Sequence, residues 1–330
     1  MKKKKKVTKV VVSVIILGAL VFGGVISYTF YQLSKVKTVK ISGANSDLGI
    51  SAAAAAKDAS SGITNIALFG VDRRDKDEPG RSDSIMILSI DTKHKKIKMS
   101  SIMRDTYVKI KGHGQTKITH AYAYGGSQLA IRTINENFNL DIKDYVTVDF
   151  FDLEKLINAI GGVKVNVAQD EVTLINSYMN ETAGIEKKAV TKLENPGTQN
   201  LNGLQAVAYS RIRYTTGGDF KRTERQRTVL TAMLTKIESL GDTQFPSVVS
   251  KLLPLTETSI SSINILKLGT KVITTKSTTV VQERFPVDGY CWGKTIDKVW
   301  YLVCDMNTTI DQIHKFIYDD IKPVPTTPQI

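Results

Sequence analysis

Apolar and polar positions divide the chain into three stretches. Residues 10–34 carry no charge, and 10–26 are almost wholly apolar. Residues 35–61 lose that character, and 51–59 is alanine-rich with no other apolar period, compatible at most with a short helix. From residue 62 onward short apolar runs alternate with amphipathic stretches. Short runs bounded by turn residues predict strands at 63–71, 84–90 and 97–103, and again at 145–150 and 163–167. Helical spacing covers 128–138, 152–160, 201–212 and 219–240, with Asp219 as N-cap of the last. Residues 168–200 show no clear period. Beyond residue 278, the stretches 279–284 and 299–303 read as extended and 309–318 as a closing helix. Strands interleaved with helices predict an α/β fold with a sheet covered on both faces.

The first apolar run is long enough to span a bilayer, which takes about 20 residues. Lys2 to Lys6 and Lys9 precede it, which places the N-terminus in the cytoplasm and the remainder outside. The expected layout is a basic tail at 1–9, a transmembrane helix at 10–34, an extracytoplasmic tether at 35–61 and one domain at 62–330. A cleaved signal peptide is the rival, but no A-x-A-like site directly follows the run, and the run exceeds a usual signal core. The formal net charge is +13, of which Lys2 to Lys6 supply five. The rest remains basic, which points to an anionic partner: phosphate, nucleic acid or lipid head group. An outward-facing chain without a nucleic-acid motif argues against nucleic acid.

If the first three strands form an antiparallel meander, as their short connections allow, strand ends from three segments share one rim. Those ends carry Asp72, Arg81 with Asp83, and Arg104 with Asp105. Carboxylates there can hold a hard cation while guanidiniums clamp phosphate oxygens. Ordinary solvated loop charges are the alternative. A second group lies in AYSRIRYTTGGDFKRTERQRTVL. On a helix, Arg222, Gln226, Val229, Met233 and Ile237 form one stripe, with Arg225 at its edge and Arg227 outside. Arg222 and Gln226 thus continue a face that otherwise enters the core. A buried arginine needs an anionic partner, either a ligand or an internal one such as Asp219. Its place in the first helical turn also favours an anion.

The chain resembles the LytR–CpsA–Psr family through five successive segments: NIALFGVDRRDKDEPGRSDSIMILSID, KMSSIMRDTYVKI, KITHAYAYGG, INAIGGVKVNV and LNGLQAVAYSRIRYTTGGDFKRTERQR. The match spans roughly residues 63–240, in the same order and spacing. The resemblance implies a three-layer α-β-α fold with a central mixed sheet, preceded by one transmembrane helix at the cell membrane. It implies a polyprenyl diphosphate-linked glycopolymer as donor, such as wall teichoic acid or capsule, and a peptidoglycan sugar as acceptor. It also implies a magnesium (or manganese) ion. Asp72 and Asp83 match the acidic metal-associated positions. Arg81, Arg104, Arg211, Arg213, Arg222 and Gln226 match the diphosphate-binding cluster, and Asp219 matches an acidic position beside it. Met103 departs from the family, which has proline before the Arg-Asp pair. Asp72, Asp83 and Asp219 all remain candidates for the base. Residues 241–330 carry no transferable motif.

The chemistry implied is attack of a sugar hydroxyl on the phosphorus beside the glycopolymer, with polyprenyl phosphate leaving. Such a reaction needs mainly positioning and charge stabilisation. A diphosphate hydrolase and a non-catalytic binder of anionic wall polymer would use the same site. Cys291 and Cys304 flank a stretch that reads as a hairpin, and an outward location predicts a disulfide between them. Two buried thiols are the alternative.

Overall fold

The structure is a computed structural model and describes residues 37–73, 80–239, 248, 250–274 and 279–327. Its strands are β1 (Lys37–Thr38), β2 (Ile63–Asp72), β3 (Arg81–Asp91), β4 (Lys96–Ile102), β5 (Tyr107–Ile110), β6 (Gly114–Lys117), β7 (Asp144–Asp149), β8 (Val163–Val167), β9 (Gly197–Leu201), β10 (Glu257–Thr258), β11 (Thr279–Phe285), β12 (Cys291–Ile296) and β13 (Val299–Cys304). Seven of them form one mixed sheet in the order β1-β10-β7-β2-β3-β4-β11. The expected meander is present: β2, β3 and β4 run antiparallel in sequence. β7 then lies parallel to β2 and β11 parallel to β4, so the sheet is mixed.

Alternation along the strands assigns two faces. Phe69, Ile85, Ile87 and Tyr145 point to one side. They pack there against Ile131 and Ile134 of helix His120–Phe138 and against Phe316 and Ile317 of helix Met306–Tyr318. Leu68, Met86, Val146 and Val148 point to the other side, towards helices Phe150–Ala159, Gly218–Glu238 and Ser262–Thr274. Helices on both faces give the three layers expected. Two hairpins, β5-β6 and β12-β13, lie beside the first of these faces, where Val108 and Ile110 enter its core.

Several expectations are corrected. Residues 38–61 are part of the fold, not a free tether: Leu48 is fully buried, and Asn135 donates to its carbonyl at 2.8 Å. Leu48, Ile50 and Ala54 are too widely spaced to show a period in the sequence. The alanine-rich stretch is helix Ala52–Ser61, capped by the Ser51 side chain. Residues 201–212 are not one helix. Leu201 ends β9, and Asn202 caps helix Gly203–Arg211 through reciprocal bonds with Gln205. The unread stretch contains helix Gln169–Glu186. The N-cap of helix Gly218–Glu238 is Gly217, at φ 95°, not Asp219. Among the described residues no helix is long and apolar enough to cross a membrane, and the apolar run at 10–34 lies outside them.

Cys291 and Cys304 are register partners in the β12-β13 hairpin, as the disulfide expectation required. Both are nevertheless free thiols. The Cys291 thiol faces the Val287 carbonyl at 3.7 Å, and the Cys304 thiol faces the Met306 sulfur at 3.8 Å. Burial pushes the Cys304 thiol up to about 11, which keeps it protonated and unreactive at neutral pH.

Candidate active site

The meander does bring the first group of charges to one rim. Arg81 is the register partner of Asp72, and Asp83, left unpaired by a register shift beside Val71, lines the same cleft as Asp72. Arg104 lies just past the end of β4 and turns back, with Nη1 2.8 Å from Asp83 Oδ1. The second group meets the first through Asp219. One Asp219 oxygen is 3.6 Å from Arg104 Nε. The other is 2.8 Å from Arg222 Nη2 and 3.6 Å from Arg213 Nε. Placing Asp219 in the first turn instead of at the cap frees its carboxylate for this role. Thr223 Oγ1 donates to the Asp219 carbonyl at 3.0 Å and lies 3.6 Å from the Met103 sulfur, so the residue that departs from the family packs the end of β4 against the helix start.

Arg211 is held from the other side. Its guanidinium donates to Thr182 Oγ1 at 2.7 Å and to Glu181 Oε1 at 3.1 Å. It also sits 5.5 Å and 5.4 Å from the ring centres of Phe150 and Tyr178. Asp72, Asp83, Arg211, Arg213, Arg222 and Gln226 line a single cleft of about 440 Å³. Arg81, exposed on the outer rim, does not line it, and neither do Arg104 and Asp219, which adjoin it through Asp83 and Arg222. An apolar slot lies next to the cleft, between Leu68, Met86 and Val148 of the sheet and Val229 and Met233 of helix Gly218–Glu238. Phe150 and Gln226 line both spaces, so the polar cleft and the apolar slot meet there.

The electrostatics of the cleft are unbalanced. Arg222 is only 5% exposed, and burial pushes its pKa down, with Asp219 offsetting that only in part and Arg104 working against it. Burial acts on Arg104 in the same sense, but Asp83, Asp219 and Asp105 together outweigh it and raise its pKa. Despite these ion-pair distances, Arg104 Nε, Arg222 Nε and Nη2 and both Asp219 oxygens are buried without a hydrogen bond among the described residues. Groups in that condition are costly in a folded protein unless something else completes them.

Several neighbours of the site carried no distinct signal in the sequence. Tyr178, Glu181 and Thr182 come from the stretch without a legible period. Lys117 Nζ lies 2.7 Å from Asp105. His120 sits inside the quoted KITHAYAYGG segment without an assigned role. Its Nδ1 is 2.9 Å from Thr116 Oγ1, and burial, then Lys117 and Arg81, push its pKa down. The helical stripe misplaced two arginines. Arg225 and Arg227 are both buried, Arg225 against Glu171 at 2.7 Å and Arg227 beside Gln282 of β11 at 3.2 Å.

The fit to a divalent cation is a fit of donor type. No group of three or more His, Cys, Asp or Glu side chains gathers among the described residues. Asp72 and Asp83 line one cleft, and Arg104 engages Oδ1 of Asp83, leaving Oδ2. Magnesium is commonly held by one or two carboxylates together with substrate phosphates and water. The residues present meet that pattern.

Guanidiniums backed by carboxylates and opening on an apolar slot define a site for an amphiphilic phosphate ligand. Comparison with known proteins narrows this class. Residues 27–316 match the LytR_cpsA_psr family. The chain therefore belongs to the LytR–CpsA–Psr family, and it is a transferase. It is 34% identical over 245 residues, 73% of each chain, to the polyisoprenyl-teichoic acid–peptidoglycan teichoic acid transferase TagT of Bacillus subtilis strain 168. Its fold is similar to TagT bound to LI-WTA, with a TM-score of 0.62 and 28% identity over 78% of this chain and 90% of that one. It is also similar to TagT with bound octaprenyl pyrophosphate lipid, with a TM-score of 0.58 and 27% identity over the same shares.

Proposed function

We propose that the protein moves a glycopolymer from a polyprenyl diphosphate carrier to a hydroxyl of a peptidoglycan sugar. A phosphodiester forms and polyprenyl phosphate is released. The observation that carries this reading is the junction at Phe150 and Gln226, where an apolar slot opens directly onto an arginine-lined cleft. A prenyl diphosphate has that same division into an apolar chain and a dianionic head. The relatives support the reading: TagT is named as a teichoic acid transferase and has been solved with octaprenyl pyrophosphate. The slot's free volume of about 170 Å³ is below the roughly 300–1,000 Å³ usual for ligand pockets. A long prenyl chain would need this slot to widen.

The chain's residues act as follows. Arg104, Arg211, Arg213 and Arg222 hold the diphosphate oxygens, and Arg81 supports them from the rim. Gln226 seats the head at the mouth of the slot. Asp219 orients three of the guanidiniums. The acceptor hydroxyl attacks the phosphorus beside the glycopolymer. The bond from that phosphorus to the bridging oxygen breaks, and its electrons leave with polyprenyl phosphate. The acceptor proton passes to a carboxylate of the cleft. The arginines stabilise the charge that grows on the leaving oxygens. Asp72 and Asp83 would hold a magnesium or manganese ion, which would supply charge neutralisation at the phosphates. The apolar run at 10–34 would anchor the domain outside the cell membrane, where donor and acceptor both lie.

The test is product analysis with a glycopolymer-loaded prenyl diphosphate, with and without peptidoglycan. The expected result is polymer joined to peptidoglycan and one prenyl phosphate per transfer. Free polymer phosphate released at the same rate without acceptor would make the protein a hydrolase. Binding without any product would make it a carrier-binding protein.

A further inference from the structure

The rim that carries the cleft also receives the chain from its N-terminal side. β1 runs parallel to β10 and so antiparallel to β7, with Lys37 beside Glu257 and Glu257 beside Thr147. Thr147 is in turn the partner of Phe69, three residues short of Asp72 on β2. β1 therefore runs away from the rim, and the chain that precedes Lys37 comes from the rim side. Between the apolar run at 10–34 and Lys37 stand only residues 35 and 36. The steps from 34 to 37 reach about 10 Å when fully extended. The opposite rim, at the β3-β4 turn 92–95, is the 11 residues of β3 away, about 35 Å. The same cleft-bearing rim holds the most open aromatic ring. Among the described residues Tyr214 is the most exposed large hydrophobic side chain, at 82%. It stands in the loop between helices Gly203–Arg211 and Gly218–Glu238 and lines the cleft. Its neighbour Arg213 reaches Asp219, which also meets Arg104 just past β4, so this loop belongs to the rim. Arg213 and Arg81 are both exposed there.

We infer that the bilayer surface docks on this rim, with the Tyr214 ring in the head-group layer and Arg81 and Arg213 towards lipid phosphates; the inference rests on the membrane anchor proposed above and adds which face of the domain meets the lipid. The direction of β1 brings the anchor to this rim and not to the opposite one. Tyrosine collects at membrane interfaces, where the ring and the hydroxyl each find a suitable medium. Basic side chains are drawn to the phosphate layer beside it. The two contacts are well separated. β1 and β4 are five strand spacings apart in the sheet order, about 24 Å. Chain entry at β1 and the Tyr214 loop beside β4 therefore hold the rim level with the surface. The cleft then opens at the height of the lipid phosphates, where the head of a prenyl diphosphate already lies.

The full chain is reconstituted in vesicles of phosphatidylcholine and phosphatidylglycerol whose acyl chains carry bromine, either near the head groups or deep in the bilayer. Tyr214→Trp is compared with Lys93→Trp, an exposed position in the β3-β4 turn. Each is read as the difference from the wild type, which has two tryptophans of its own. The expected result is loss of the added emission in Tyr214→Trp, greater with shallow bromine than with deep, and no loss in Lys93→Trp. Thr216→Trp, at an exposed neighbour in the same loop, should repeat the result and guards against misfolding of the first variant. Quenching in Lys93→Trp, or in none of the three, overturns the orientation while the anchor stands. Loop emission that responds to added glycan strands or teichoic acid polymer, but not to bromine, assigns the loop to a polymer and overturns it too. A full chain that alkaline carbonate strips from the vesicles removes the anchor, and the orientation falls with it.

Discussion

Two clusters of buried charge lie at opposite ends of the same three strands, and they are built in opposite ways. At the end of β3 and the start of β4, Asp91 and Lys98 are buried and 2.6 Å apart. Lys98 also donates to the Ile317 carbonyl at 2.8 Å and lies 3.4 Å from Asp320, which pairs with Lys96 at 2.5 Å. Asp91 further accepts from the His94 N–H at 2.9 Å and meets the His94 ring at 2.7 Å. None of the charged atoms of this network is left without a partner. At the other end, Arg104, Arg222 and Asp219 stand within ion-pair distance, yet key atoms make no hydrogen bond. The first cluster ties the C-terminal helix to the sheet. The second leaves charge that the proposed diphosphate would complete. Burial of charge alone therefore does not distinguish the two clusters; how completely that charge is satisfied does.

The largest expected effect breaks the satisfied cluster. Lys98→Ala leaves the buried Asp91 with His94 as its only partner, which should cost about 3 kcal/mol of stability. Urea unfolding at pH 7 measures it, and a loss below about 1 kcal/mol would remove the contrast. Next, Arg222→Ala should lower transfer by roughly 10- to 200-fold, the equivalent of about 1.5–3 kcal/mol per charge-assisted contact. Its unfolding midpoint should stay level or rise, since a poorly satisfied buried charge is removed. Arg213→Ala, at a side chain 48% exposed, should lose less. Chelator should then suppress transfer and magnesium restore it, with Asp83→Asn needing more magnesium for the same rate. Activity indifferent to chelator would leave Asp72 and Asp83 as partners of arginine only.

The smallest effect concerns acid. Burial, the largest influence on Asp91, acts to raise its pKa, but hydrogen bonds from Lys98 and His94 reverse this and hold it below the ordinary 3.8. Asp320 is lowered as well: burial again acts to raise it, and Lys96 and Lys98 outweigh it. Groups depressed in the folded state stabilise it fully above their ordinary pKa, and that contribution is lost as pH falls through the folded values. Stability should therefore drop steeply below about pH 4 in the wild type, and less so in Asp91→Asn, whose curve starts lower. Parallel curves would place the acid sensitivity elsewhere.

The sequence made one cluster legible and concealed the other for a physical reason. The meander could be read because its connections are short and its strands apolar, and it led directly to Asp72, Arg81, Asp83 and Arg104. The stripe on helix Gly218–Glu238 led to Arg222 and Gln226. It misplaced Arg225 and Arg227 because that helix is enclosed on further sides, by Glu171 and by β11, whose positions depend on long crossovers. Lys98 falls inside a strand that reads as mixed polar and apolar, and nothing local announces that residues 317 and 320 will return to it. Tyr178, Glu181 and Thr182 were missed because helix Gln169–Glu186 mixes polar residues on most sides. Asp219 was placed at a cap because a carboxylate before a helical stretch usually sits there; Gly217 takes that position at positive φ, and the carboxylate moves inward to the arginines.

On the proposed function the arginine cluster is completed only when a diphosphate binds. The thermal midpoints of Arg222→Ala and of the wild type, each alone and with octaprenyl diphosphate, decide this. The variant alone should be equally or more stable, and the ligand-induced rise of the wild type should be largely lost in it. A variant that unfolds early, as Lys98→Ala should, yet still gains the full rise from the lipid, would show that Arg222 belongs to the fold and not to the ligand site.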